Sequence, residues 1–180
     1  MTNQVFPITP EGEQNPYFPK RYFDLSGKHA LVTGATTNIA RALAVALAEA
    51  GAKVSVTTCG VVDEQEVLAN SILNECWAAS GEEGRSLTLD LTDASSLTKA
   101  IESLEQELGP VDILVNASHF ANIKPVLESS MDEWTSELSR NATAVFVSSQ
   151  TVGRGMVLRG KGRIINLVSK HEKSHINLHI

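Results

Sequence analysis

The sequence predicts an α/β fold: a doubly wound parallel sheet of about five strands with helices on both faces. Two observations predict it. From residue 28 onward, short apolar runs rich in β-branched residues alternate with stretches of helical spacing. The runs are near-continuously apolar instead of alternating with polar residues, as strands covered on both faces must be.

The elements follow in order. Residues 29–33 read as a buried strand. Residues 39–50, rich in Ala and Leu, read as a helix that Gly51 stops. Residues 53–58 form a β-branched strand and 64–79 a helix. Residues 86–90 are a third strand. Asp93 caps a helix over 94–108, which Gly109-Pro110 ends. Residues 111–116 are the fourth strand, 131–158 a long, partly apolar helix, and 163–169 the fifth strand. Right-handed crossovers leave few topologies for this order. The carboxyl ends of the strands then share one edge, where ligands of open α/β sheets bind.

Three segments are expected. Residues 1–23 hold four of the six prolines (Pro7, Pro10, Pro16, Pro19) among Phe6, Tyr17, Phe18, Tyr22 and Phe23. Proline at this density blocks helix and sheet, so this is an irregular arm. Residues 24–169 form the domain, and 170–180 a polar, His-rich tail.

Composition excludes several function classes. The length of 180 residues suffices for one domain with a core, and 42% hydrophobic content is that of globular proteins. A net charge of -6 argues against nucleic-acid binding. No apolar run approaches membrane-spanning length, and no basic segment followed by an apolar core opens the chain, so the cytoplasm is the expected compartment. Cys59 and Cys76 give no disulfide framework and read as ordinary thiols. The tail segment His171-Glu172-Lys173-Ser174-His175 formally matches H-E-x-x-H. It lacks the cleft and helix pair that zinc catalysis needs, so no metal site is expected.

The turn after the first strand, Thr33-Gly34-Ala35-Thr36-Thr37-Asn38-Ile39-Ala40, opens a helix. Unpaired N–H groups and the positive dipole end there suit a pyrophosphate. This stretch resembles the opening of short-chain dehydrogenases/reductases, whose turn reads T-G-x-x-x-G-x-G. Gly34 matches, while Asn38 and Ala40 replace the other two glycines. Asn tolerates the left-handed backbone well, and Ala adds one methyl. Further matches follow in order: Asp90-Leu91-Thr92-Asp93, then Asp112-Ile113-Leu114-Val115-Asn116-Ala117-Ser118-His119 for the family's D-I-L-V-N-N-A-G, then Asn141 in the long helix, then Arg163-Ile164-Ile165-Asn166-Leu167-Val168-Ser169. The resemblance spans roughly residues 24–169.

It implies a Rossmann-like fold with about five of the family's usual seven strands, and NAD(P)-dependent hydride transfer between nicotinamide and a small alcohol or ketone. It places cofactor contacts at Thr33, Gly34, Thr36, Thr37, Asn38 and Ile39 in the first turn. Thr58 stands at the end of strand two, Asp90 and Leu91 near the adenine, and Asn116, Ala117 and Ser118 along the fourth strand's end. Ser169 would polarise the substrate carbonyl, and Asn141 would hold a water in the proton relay. His119, in place of a glycine, would lie near the nicotinamide ribose, though a lone His is more often a polar loop residue. An Asp at the end of strand two selects NAD, and a neighbouring Arg selects NADP. Thr58 is neither, so either dinucleotide is admitted, with a slight preference for NADP because no carboxylate repels its phosphate. Homo-oligomerisation through the helix around Asn141 is a further implication.

One part of the family pattern is absent. Its acid/base Tyr-x-x-x-Lys follows the strand-five Ser by about a dozen residues. Here the two tyrosines are Tyr17 and Tyr22, both ahead of strand one. The expectation is therefore a C-terminally truncated chain, inactive alone. The alternative function is a dinucleotide-binding or subunit-interaction module without catalysis. A further expectation is that strand five has an unpaired edge and an uncovered face.

Overall fold

The computed structural model describes residues 23–58, 63–119 and 124–168. Residues 1–22 of the arm, Ser169 and the tail lie outside the described residues, as does Cys59. Five strands form one parallel sheet: β1 (His29–Thr33), β2 (Lys53–Thr57), β3 (Ser86–Leu87), β4 (Ile113–Asn116) and β5 (Arg163–Asn166), in the spatial order β3-β2-β1-β4-β5. Strand order reverses between β1 and β4, which puts a crevice outside their carboxyl ends.

Helices cover both faces. On one side lie α1 (Asn38–Glu49) and α2 (Asp63–Ser80). Ala40, Ala44 and Ala48 recur every four residues on α1, forming one stripe. Their small side chains let the helix sit close on Ala30, Val32, Val54, Val56, Ile113 and Val115. On the other side α3 (Ala94–Leu108) inserts Leu97, Ile101 and Leu104 against Leu31 and Leu114. The side chain of Asp93 caps α3 by accepting the N–H groups of Ser95 and Ser96, as the sequence predicts.

One element is shorter than expected and another carries an insertion. The third strand stops at Leu87, because beyond it the Leu89 N–H turns to the Thr58 hydroxyl instead of a backbone carbonyl. The helical region expected over 131–158 is helical throughout and contains a π-turn: α4 (Met131–Leu138), the π-turn (Ser139–Thr143) and α5 (Ala144–Arg159). Ser130 and Glu133 close a capping box at its start, and Gly160, at φ 65°, ends it in the left-handed conformation. Cys76 is buried, and burial pushes its thiol up to about 11, so it stays an unreactive thiol. Among the described residues no helix is long and apolar enough to cross a membrane, and no cluster of His, Cys, Asp and Glu could hold a metal.

β5 pairs with β4 along one side and has no strand on its other side among the described residues. All four of its residues are exposed.

His29 fastens the opposite end of the sheet. Its Nδ1 lies 2.9 Å from the Gly109 carbonyl oxygen, which can only accept, so Nδ1 carries the proton. Its Nε2 lies 2.9 Å from the Ser55 hydroxyl, which also accepts the Arg85 N–H. Ser55 therefore donates to Nε2, and the imidazole is neutral. Burial lowers the His29 pKa below 6.5, and Lys53 adds to that, against the raising effects of the Gly109 carbonyl, Glu105 and Asp112. A depressed histidine contributes its stability fully above the unfolded-state value, and loses it as pH falls from there toward the folded-state value. Thermal melts of the wild type should thus drop by more between pH 7.5 and 5.5 than those of His29→Leu. Equal drops would show that His29 titrates alike in both states.

Candidate functional site

The carboxyl edge of β1, β2 and β4 is assembled around the turn 34–37. The Thr33 hydroxyl, at the end of β1, accepts the N–H of Ala117, 3.2 Å away. The Thr57 hydroxyl, at the end of β2, accepts the N–H of Gly34 at 3.1 Å and donates to the Thr58 carbonyl at 3.2 Å. The N–H of Ala35 reaches the Thr57 carbonyl. The turn is thus suspended between its two neighbouring strands.

The packing of the chain itself requires Gly34. Its φ is +66°, and a Cβ built on it would lie 2.5 Å from the Ser118 Cα and 2.9 Å from the Ser118 nitrogen. The end of β4 passes directly against this glycine. Ala117 and Ser118 therefore lie against the first turn, with His119 exposed just beyond them.

Thr37 caps α1, its hydroxyl accepting the Ala40 N–H and donating to the Gly34 carbonyl. Capping uses the third N–H of the first turn. The N–H groups of Asn38 and Ile39 stand at the helix start as its outward donors, where both residues are exposed. Asn38 is helical, and among the described residues no residue other than glycine has a positive φ. The glycine replaced at this position therefore needs no left-handed substitute. Ala40 is fully buried in the α1 stripe, and its methyl is accommodated there.

Thr58 is placed differently from the sequence expectation. It is fully buried, with its hydroxyl accepting the Leu89 N–H at 3.3 Å. Its side chain holds the β3 connection instead of facing the crevice. Asp90 is half-buried, and one carboxylate oxygen accepts the Thr92 N–H at 2.9 Å, with Leu91 buried beside it. Helix capping is left to Asp93.

Asn116 is the most fully bonded residue of the site. Its amide donates to Ser149 Oγ at 3.0 Å and to Asn166 Oδ1 at 2.8 Å, and its carbonyl accepts the Ser148 hydroxyl at 2.7 Å. It ties β4 to α5 and β5 at once, so its side chain positions strands and leaves ligand contact to neighbouring atoms. Asn141 lies in the π-turn, seven residues before Ser148, hence roughly 10 Å further along the helix and beyond the sheet edge. Inserted π-turns commonly mark functional positions. Ser169, three residues past Asn166, lies outside the described residues.

Sequence reasoning missed Thr57, Ser148, Ser149 and Asn166. Thr57 continues the β1–β2 register beyond Val32↔Val56, level with Thr33, a signal the threonine pair offered. The serines and Asn166 become partners only once helix and strands pack.

Known proteins match this arrangement. A family model described as short chain dehydrogenase matches residues 28–179. Gluconate 5-dehydrogenase of Gluconobacter oxydans (strain 621H) is 34% identical over 147 residues, which are 82% of this chain and 55% of that protein. The 3-oxoacyl-(acyl-carrier-protein) reductase FabG of Vibrio harveyi is 36% identical over 149 residues, 81% of this chain and 56% of that one. A crystal structure of a short-chain type dehydrogenase/reductase from Mycobacterium marinum superposes with a TM-score of 0.73 at 31% identity, covering 84% of this chain and 60% of that one. The chain spans little more than half the length of the curated relatives it matches.

Proposed function

The chain belongs to the short-chain dehydrogenase family, and from that premise we propose that its carboxyl sheet edge binds a nicotinamide dinucleotide for oxidoreduction of a small alcohol or ketone. The observation that carries this reading is the outward pair of N–H donors at Asn38 and Ile39, at the positive end of a helix beside the β1/β4 switch point. These donors and the Thr36–Thr37 turn would hold the pyrophosphate. Asp90 and Leu91 would lie toward the adenine, and Ala117 and Ser118 toward the nicotinamide end. When bound, the dinucleotide supplies the hydride carrier. Asn141 would hold a water on the helix above the edge, and Ser169 would polarise a substrate carbonyl.

The substrate class is proposed from the relatives: a sugar acid, as for gluconate 5-dehydrogenase, or a 3-oxoacyl group. Both NAD and NADP are admitted. With Thr58 turned inward, selection between them falls to other residues. Exposed Met131, Trp134 and Phe146 on α4 and α5 support self-association through this helix. A second reading is dinucleotide binding without turnover.

Asn38→Asp tests the binding claim. A carboxylate at the first helical position favours the helix but repels a pyrophosphate. NADH and NADPH titrations followed by fluorescence should lose at least about tenfold in affinity, roughly 1.4 kcal/mol, while the melting temperature stays level or rises. Unchanged affinity would remove the pyrophosphate from this helix. Dinucleotide oxidation with keto sugar acids then separates the two readings.

A further inference from the structure

The carboxyl edge around the first turn is nearly free of charged side chains. Residues 33–40, Thr57, Thr58 and residues 116–118 carry no ionisable group. His119 comes next and can take a positive charge. It follows Ser118, whose Cα would meet a Cβ on Gly34 at 2.5 Å, so the His119 Cα lies about 3.8 Å along the chain from that contact. Thr37, the cap of α1, donates to the carbonyl of the same Gly34. The end of β4 and the start of α1 thus adjoin through one residue. His119 is exposed, and among the described residues its ring has no hydrogen-bond or ion-pair partner.

The charged groups on the surrounding elements do not supply a cation to the turn. Arg41 on α1 is held by both carboxylate oxygens of Glu75, and Lys124 by both of Glu133. Arg140 is half-buried in the π-turn. The others are acids: Asp63 and Glu64 at the start of α2, and Asp90 after β3. A pyrophosphate diester is a dianion. At the strand ends and the first turn, the dipole of α1 answers its charge alone unless His119 is protonated.

We propose that His119 binds the pyrophosphate of the dinucleotide as an imidazolium, so that this chain holds its cofactor more tightly as pH falls from about 8 to about 6, the range in which a histidine changes charge. The proposal rests on the dinucleotide reading of this edge and adds a residue to it. The glycine that the family motif carries at this place could not play the part. The sign follows from linkage. A bound anion beside the ring favours its protonated form, so binding takes up a proton and strengthens as protons become more abundant. A neutral residue at position 119 removes that dependence.

Calorimetric titration of the intact chain with ADP-ribose, at about pH 8 and about pH 6 and constant ionic strength, tests it. ADP-ribose carries the pyrophosphate without a 2′-phosphate, whose own titration near pH 6 would obscure the effect with NADPH. The wild type should bind about three- to tenfold more tightly at the lower pH, the range of a partly exposed charge-assisted contact. His119→Gln should bind at both pH values no more tightly than the wild type does at the higher one. His29, His171, His175 and His179 are common to both proteins, so the difference in slope belongs to His119. His119→Lys, charged throughout, should keep the tighter affinity at both pH values. His119 is exposed, so both variants should melt with the wild type. In NMR spectra the titration of the His119 ring should move to higher pH when ADP-ribose is bound. Equal pH slopes for wild type and His119→Gln, with Asn38→Asp still weakening binding, would overturn the role of His119 and leave the dinucleotide reading standing. Absence of binding at either pH would overturn both.

Discussion

Gly34→Ala is expected to destabilise the fold by about 2–5 kcal/mol and to abolish dinucleotide binding in the same titration that reads Asn38→Asp. Two independent costs add. A left-handed backbone at φ +66° costs a residue with a Cβ roughly 1–2 kcal/mol. The new methyl would also meet the backbone of Ser118, at 2.5 Å from its Cα, so β4's end or the turn must move. Overpacking of that kind costs about 1–3 kcal/mol. Neither segment moves freely, because Thr33 bonds Ala117 and Thr57 bonds Gly34. Urea denaturation with an unchanged slope and a lower midpoint is the expected signature. Ser118→Gly in the Gly34→Ala background should not restore stability, since the Cα and nitrogen of residue 118 stay in place. Full rescue by Ser118→Gly would locate the clash in the serine side chain and refute this account.

The fold was legible because its strongest signals are local. β1, α1 and α3 come from apolar periodicity with Gly51, Asp93 and Gly109 as stops and caps, and these act within a few residues of chain. β3 is shorter than its sequence suggests, and the long helix carries a π-turn, at points that local signals do not control. Residues 88–90 carry strand-like propensity, but the buried Thr58 hydroxyl takes the Leu89 N–H and ends the ladder. The π-turn at Ser139–Thr143 adds a residue to one helical turn without any Pro or Gly to announce it.

The site was legible in position and only partly in role. The first turn, Ala117 and Ser118 come together at the carboxyl edge. Thr58 does not join them. Position in a motif says which residue ends a strand, but the strand's pleat decides which way that residue points. Here the pleat turns Thr57 toward Gly34 and Thr58 toward Leu89. Gly34 is a similar case: its match to the motif marks the turn, and a close approach that demands glycine there is made by Ser118 of the same chain.

Asn116→Leu should cost about 2–5 kcal/mol, despite keeping the size of the side chain. Asn116 is 2% exposed, and three polar side chains close on its amide. Leucine removes both donated bonds and the one accepted from Ser148, at about 0.5–1.5 kcal/mol each, while the exposed Asn166 and the half-buried Ser149 can turn to water. Ser148 suffers least, since its hydroxyl also reaches the Ala144 carbonyl at 2.8 Å. Ser148→Ala is therefore the mild member of the network, and Asn116→Leu the severe one. A double-mutant cycle between Asn116→Leu and Asn166→Leu should show a coupling of about 0.5–3 kcal/mol, because the second change removes the acceptor that the first one strands. Additive losses would mean that β4 and β5 are held by their backbone ladder alone. The functional consequence separates the two cases further. If the amide network positions the end of β4, Asn116→Leu weakens dinucleotide binding through Ala117 and Ser118 even at temperatures where the variant is fully folded. If binding is intact in that folded state, the network serves stability only, and the Thr33–Ala117 bond suffices to set the crevice.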